Sequence, residues 1–219
     1  MGGLFISFEG IDGAGKSTHI SALAQAFESQ GRVVVRTREP GGTPLAETLR
    51  KLVLNEAMDP LTESLLVFAA RRDHIALVIA PALAQDQVVL CDRFSDATFA
   101  YQGSGRGFDW DTLGMLEQCV QGSSPAHGQG FARADLLQPQ LTLWFDLPAP
   151  VAAQRLAGAR VPDKFESQPE AFFEQVASGY ARRMAQQPQR FAQINANQST
   201  DAVWHEVLKA VKAKGFLAR

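Results

Sequence analysis

Cysteine is scarce in this sequence: Cys91 and Cys119 are the only two among 219 residues. Two thiols cannot build a disulfide framework, and no CxxC spacing offers a zinc site. A reducing, cytoplasmic setting is the resulting expectation. A surplus of positive charge is missing as well. Lys+Arg number 21 against 23 Asp+Glu, a net charge of −2, which argues against a general nucleic-acid binder. Long apolar runs are also lacking. The longest, Ile75 to Ala84, contains Pro81 and falls far short of the ~20 residues of a membrane helix. The start, MGGLFISFEG, carries no basic segment and makes a poor signal peptide. Ile6 occupies the Ser/Thr position of the myristoylation pattern. No internal repeat or dividing linker is visible, so one domain over 1–219 is expected.

What the chain does have is alternation. Leu4–Glu9, Val33–Thr37, Val88–Asp92, Leu141–Asp146 and Phe191–Asn195 are short apolar runs of buried-strand length. Helical patterns separate them, over Lys16–Gln30, Pro44–Leu54, Leu61–Ala84, Trp110–Val120, Pro150–Leu156, Pro169–Gln186 and Asp201–Lys214. Strands alternating with helices predict an α/β fold, a five-stranded parallel sheet flanked by helices on both faces. Two stretches interrupt the pattern. Gly122–Pro139, rich in Gly, Ser and Pro, reads as a long surface loop. A polar segment at about 155–168 reads as a short lid.

Gly10-Ile-Asp-Gly-Ala-Gly-Lys-Ser17 fits G-x4-G-K-[ST] between the first strand and a helical run, which is the setting of a P-loop. Gly10, Gly13, Ala14 and Gly15 would let backbone N–H groups surround phosphate oxygens. The positive end of the following helix adds attraction. Lys16 would reach the β/γ-phosphates of ATP and the Ser17 hydroxyl would ligate Mg²⁺, with Thr18 completing the ATP-binding set. The expected architecture is thus the three-layer P-loop NTPase fold. No NKxD motif supports a GTPase, and 219 residues leave little room for a motor or transporter ATPase. A small-molecule kinase fits, provided a second site exists.

Residues for that site follow the strands. Arg38 in REPGGT follows the second strand and Arg93 in DRF follows the third. Ligands of open parallel sheets bind beyond the strands' carboxyl ends, so both arginines would enter the P-loop crevice and could grip a phosphate monoester. On the long helix Phe68 and Arg72 are four residues apart and share a face, a combination suited to stacking on a flat base and reading its edge. Thr98, Tyr101 and Gln102 have i, i+3, i+4 spacing and could face one ligand.

The stretches FEGIDGAGKST, TREPGGTPLAE, LLVFAARRDH, DRFSDATFAYQGSGRG and, more loosely, DKFE with FFEQVASGY run in the order found in bacterial thymidylate kinases. The chain resembles that family over most of its length. The resemblance implies ATP- and Mg²⁺-dependent phosphorylation of dTMP to dTDP by a homodimer, with the apolar helix around Leu61–Ala84 as a candidate interface. Arg38 and Arg93 would hold the dTMP phosphate, Phe68 would stack on thymine, and Arg72 would donate to its exocyclic oxygen. Thr98 and Gln102 would approach the base edge, and Tyr101 would crowd the sugar 2′ position. Asp12 matches the acidic residue near the acceptor 3′-hydroxyl, and Asp92 the residue that organises Mg²⁺. Glu9 and Glu39 are expected in structural ion pairs.

The P-loop contains no arginine, and the resemblance then assigns the catalytic cation to the lid, to Arg155 or Arg160, with Arg160 favoured. Departures from the family pattern are Lys164 for a lid arginine, Asn195 for aspartate, and His74 for glutamine, His74 being expected as a structural histidine. The alternatives are a kinase for another nucleoside monophosphate or a deoxynucleoside, and a nucleotide-binding regulator without catalysis.

Overall fold

The structure is a computed structural model and describes residues 2–122, 136–156 and 164–218. Five strands, β1 (Leu4–Glu9), β2 (Val34–Arg38), β3 (Val88–Asp92), β4 (Leu141–Asp146) and β5 (Phe191–Asn195), form one parallel sheet in the order β2-β3-β1-β4-β5. β1 lies at its centre and every residue of it is buried. Both faces of a central parallel strand are covered by helices, which is why its sequence is a continuous apolar run rather than an alternating one. Its polar residues are Ser7, which shares a hydrogen bond with the Thr142 hydroxyl on β4, 3.1 Å away, and Glu9 at the strand's end.

The helices among the described residues are α1 (Lys16–Glu28), α2 (Pro44–Asn55), α3 (Pro60–His74), α4 (Ala80–Ala84), α5 (Ser95–Thr98), α6 (Trp110–Gln121), α7 (Ala149–Leu156), α8 (Glu170–Gln186) and α9 (Thr200–Ala213). Several starts are set by local chemistry. Thr43 and Asp59 accept hydrogen bonds from backbone N–H groups of α2 and α3, each followed by proline, an arrangement that satisfies amides without an intrahelical partner. None of the described helices is long and apolar enough to cross a membrane.

The expected helix Leu61–Ala84 is subdivided. After α3, residues Ile75–Ile79 form a π-helical turn before α4. Pro81 has no N–H, and its ring cannot sit against the carbonyl four residues back, so the chain widens just before it. A second wide turn, Phe99–Gly105, continues α5. Helix α8 packs closely against it: a Cβ on Gly179 would lie 2.7 Å from the Ala100 Cα. Of the Gly122–Pro139 loop, Gly122 bridges to Leu136, and the rest up to residue 135 lies outside the described residues.

Candidate active site

The carboxyl ends of the strands assemble the site. Gly15 adopts a left-handed conformation (φ 82°) at the start of α1, a geometry that a side chain would strain. Gly10 is held against β4, where a Cβ would collide with the Phe145 carbonyl. The loop thus turns tightly over the sheet. Lys16 is buried in it, and its Nζ donates to the carbonyls of Gly10 and Ile11 at 3.0 Å each. Burial, and then the nearby Arg93 charge, lowers its pKa from the ordinary value. Gly13, Gly15, Lys16, Ser17 and Thr18 line one cleft with Asp12, Asp92 and Arg155. Ala14 is buried in the core, so it serves this loop through its backbone. Arg155 donates to the Gly13 carbonyl at 3.3 Å and to the Ala196 carbonyl at 3.1 Å, placing a cation at the cleft wall.

Asp92 ends β3 in the same cleft, and its Oδ1 is buried without a hydrogen-bond partner. Such an oxygen is costly unless something accepts its charge. With the Ser17 hydroxyl it makes an all-oxygen donor pair of the kind Mg²⁺ takes when substrate phosphates complete its shell. The residues therefore fit that ion.

Arg93 joins this cleft to a second one. Its backbone is left-handed, φ 68°, a costly conformation for a side-chain-bearing residue. Flanking hydrogen bonds hold it: Arg93 N–H to the Phe8 carbonyl at 2.9 Å, and Phe94 N–H to the Glu9 carboxylate at 2.7 Å. The guanidinium reaches Asp12 at 3.0 Å and the Gly10 carbonyl at 3.2 Å, and lies over the Tyr101 ring at 5.6 Å. Burial alone would lower its pKa, but Asp12 and Tyr101 outweigh that and the net shift is upward. Glu9 differs from the expected ion pair: besides Phe94 N–H, it accepts from the Tyr180 hydroxyl at 3.0 Å.

The second cavity is walled by Asp12, Pro40, Arg50, Val53, Val67, Arg71, Arg93, Thr98, Tyr101, Gln102 and Phe165. Five expected residues, Asp12, Arg93, Thr98, Tyr101 and Gln102, meet here. The π turn after α5 keeps the last three on one wall, as π turns often do at functional sites. Phe165, in the expected lid segment, packs edge-on against Tyr101.

Three expected acceptor residues are placed elsewhere. Arg38 is 54% exposed and forks onto Glu47 at 2.9 Å, in a groove that it shares with Ser17 and Asp92. Successive strand residues point to opposite sides, so Glu39 turns inward, to Arg71 at 2.6 Å and His74 at 2.9 Å, and Arg38 outward. Arg50 takes the position beside Arg93: burial, then the like charges of Arg38 and Arg93, lowers its pKa. Arg72 is exposed and donates to the Val120 carbonyl at 3.2 Å, away from the cavity. Phe68 is buried against Phe99 and Leu113. One position earlier, Arg71 and Val67 line the cavity instead. Arg71 is 1% exposed; it donates to Glu39 and to the Thr98 hydroxyl at 2.9 Å, while its Nη1 has no hydrogen-bond partner. Arg160 lies outside the described residues. His74 is fully buried between Glu39 and Thr37, as a structural histidine should be.

A signal for the missed residues existed. Ala46, Arg50 and Val53 share one face of α2 at i, i+4, i+7, and Ala46 and Val53 are the helix's buried residues. Glu63, Val67 and Arg71 form the inward stripe of α3 at spacings of four. A charged residue within an apolar stripe is either paired in the core or aimed into a site.

A P-loop cleft joined through Asp12 and Arg93 to a second, arginine-lined cavity defines a P-loop phosphotransferase of the nucleotide-kinase class. The family model described as thymidylate kinase matches residues 8–207. A thymidylate kinase from Albidiferax ferrireducens is 65% identical, covering 98% of each chain. One from Polaromonas sp. is 62% identical over 100% of each. The solved structure of thymidylate kinase from Ehrlichia chaffeensis superposes with a TM-score of 0.73 at 32% identity, covering 97% of this chain and 99% of that one. The chain belongs to the thymidylate kinase family. Nothing in these similarities favours a kinase for another nucleotide or an inactive regulator.

Proposed function

We propose that the P-loop cleft takes MgATP and the second cavity takes dTMP, so that the enzyme transfers the γ-phosphoryl group of ATP to dTMP, yielding dTDP and ADP. The observation that carries this division is Arg93, half-buried between the clefts and bonded to both Gly10 and Asp12. Arg93 and Arg50 hold the acceptor phosphate, with Asp12 near the acceptor sugar. Arg71 donates from Nη1 to the thymine carbonyl, and Thr98 and Gln102 meet the base edge. Val67 and Phe165 supply apolar contact with the base, and Tyr101 crowds the 2′ position.

An oxygen of the acceptor phosphate forms a bond to the γ-phosphorus as the bond to the β–γ bridging oxygen breaks, and ADP carries away that electron pair. The attacking oxygen is largely ionised at neutral pH (second pKa ~6), so the site needs no strong base. Its work is alignment and charge neutralisation. Lys16 follows the charge that develops on the transferred group, and Arg155 supplies a second cation from the cleft wall. Ser17 and Asp92 would hold Mg²⁺, which would screen the phosphate charges. We further place two copies together through α2, α3 and α6. These helices pack side by side and expose Leu52, Leu61, Leu65 and Met115. The free thiols Cys91 and Cys119 suit the cytoplasm.

The test is a coupled assay of ADP release with ATP, Mg²⁺ and each of dTMP, UMP, CMP, AMP and GMP. Turnover should be fastest with dTMP, and Lys16→Ala should reduce it by roughly 10²–10³. Absence of turnover with every acceptor, or preference for another base, would overturn the reading.

A further inference from the structure

Glu63 has no place in the phosphoryl transfer, yet it is a carboxylate at 0% exposure on the inward stripe of α3. Two partners meet it, one on each oxygen. Gln102 Nε2 donates to Oε1 at 2.8 Å, and Lys164 Nζ donates to Oε2 at 2.8 Å. The Arg106 guanidinium stands 3.8 Å off, its own Nη2 bound to the Met58 carbonyl at 2.8 Å. Lys164 is itself held, donating from Nζ to the Glu56 carbonyl at 3.1 Å and from its backbone to the Leu54 carbonyl at 3.3 Å. The carboxylate is thus fixed in position from two sides.

A carboxamide has a donor end and an acceptor end, and a carboxylate accepts only. Binding to Glu63 therefore decides the orientation of Gln102: the NH₂ group faces Glu63, and Oε1 is the end left for the acceptor cavity that Gln102 lines. Arg71 Nη1, buried and unpartnered, lines the same cavity as a donor. Donor beside acceptor matches the carbonyl and N3–H edge of thymine or uracil. Cytosine presents the reverse pattern, an NH₂ group and a bare ring nitrogen, and would leave both protein groups facing like partners. A buried polar group left unpaired is what makes such discrimination large.

We propose that Glu63 is a positioning residue for base selection: held by Lys164, it sets the polarity of Gln102 and thereby excludes cytosine from the acceptor site. This rests on the reading of the second cavity as the dTMP site. It adds that Lys164 of the lid segment takes part in choosing the base, without touching it.

The experiment is steady-state kinetics of Glu63→Gln with dTMP and dCMP as acceptors at saturating MgATP. A glutamine at 63 can bond to either end of Gln102, so the amide is no longer committed. The ratio of kcat/KM for dTMP over dCMP should fall about tenfold, the worth of one hydrogen bond. The fall should come mainly from a higher KM for dTMP, because a base contact is made equally in ground and transition states. A merely structural role would depress both acceptors alike and leave the ratio unchanged; that result overturns the proposal. In a Gln102→Leu background, Glu63→Gln should change the ratio no further, and a second fall of equal size would show that Glu63 acts elsewhere. If circular dichroism shows that Glu63→Gln does not fold, Glu63→Asp, which keeps the charge but draws it back from Gln102, carries the same comparison. Wild-type enzyme that fails to turn over dTMP would instead refute the cavity assignment, and so separates the two failures.

Discussion

The choice between Arg71 and Arg72 as the base-reading arginine can be decided by Arg71→Lys set against Arg72→Ala. Arg71 uses its fork fully: Nε to Glu39 at 2.6 Å, Nη2 to Thr98 at 2.9 Å and to the Phe94 carbonyl at 3.2 Å, leaving Nη1 for a ligand. A lysine carries one nitrogen and no fork. Drawn to Glu39, it cannot also reach the base. A hydrogen bond from a charged donor is worth about 1.5–3 kcal/mol, so Arg71→Lys should raise the KM for dTMP by about 10- to 150-fold at ~1.4 kcal/mol per decade. The KM for ATP, whose cleft Arg71 does not line, should stay within about twofold. Arg72 lies exposed on the Val120 carbonyl, and Arg72→Ala should change either KM by less than about threefold, as surface substitutions do. Both variants would be followed by coupled ADP release, varying one substrate at saturation of the other. A larger dTMP defect in Arg72→Ala than in Arg71→Lys would refute the reasoning and return the base to the Phe68–Arg72 face.

Two other outcomes follow from packing and charge. Burial, with the neighbouring Asp96 carboxylate, pushes the Glu9 pKa from 4.5 up to about 8, so the native state holds that proton more tightly than the unfolded chain does. Stability from this group is complete below about pH 4.5 and declines as pH rises towards 8, by a few kcal/mol at most at ~1.4 kcal/mol per unit. Glu9→Gln, a neutral isostere, should flatten the fall of Tm between pH 5 and 8, and parallel curves for variant and wild type would count against it. The exposed apolar face predicts that light scattering finds the protein at twice its 23.8 kDa chain mass. Leu65→Glu together with Met115→Glu should halve that mass, and an unchanged mass would place the interface elsewhere.

The five strands and the P-loop could be read almost to the residue, with β2 shifted by one position from Val33–Thr37 to Val34–Arg38. Both signals are local. A buried parallel strand needs a short apolar run, and a phosphate loop needs its glycines and lysine within eight consecutive residues, so neighbours in sequence are neighbours in the site. Arg93, Thr98, Tyr101 and Gln102 were legible for the same reason, since one strand end and the turn behind it carry them.

Arg50, Arg71 and Glu63 were not. Each sits on a helix whose position in the chain says little about its rotation against the sheet, and one residue of error turns a side chain by about 100°. The composition, strand pattern and motif spacing of the sequence determined the fold, the family resemblance and the phosphate end of the site. Only the tertiary structure decided which stripe of α3 faces inward, that Arg38 stays out of the second cavity while Arg50 lines it, and that Glu63 joins Gln102 to Lys164, the latter 101 residues further along the chain than Glu63. Those contacts depend on how separate helices pack over one sheet; spacing along a helix marks a stripe but does not say what the stripe meets.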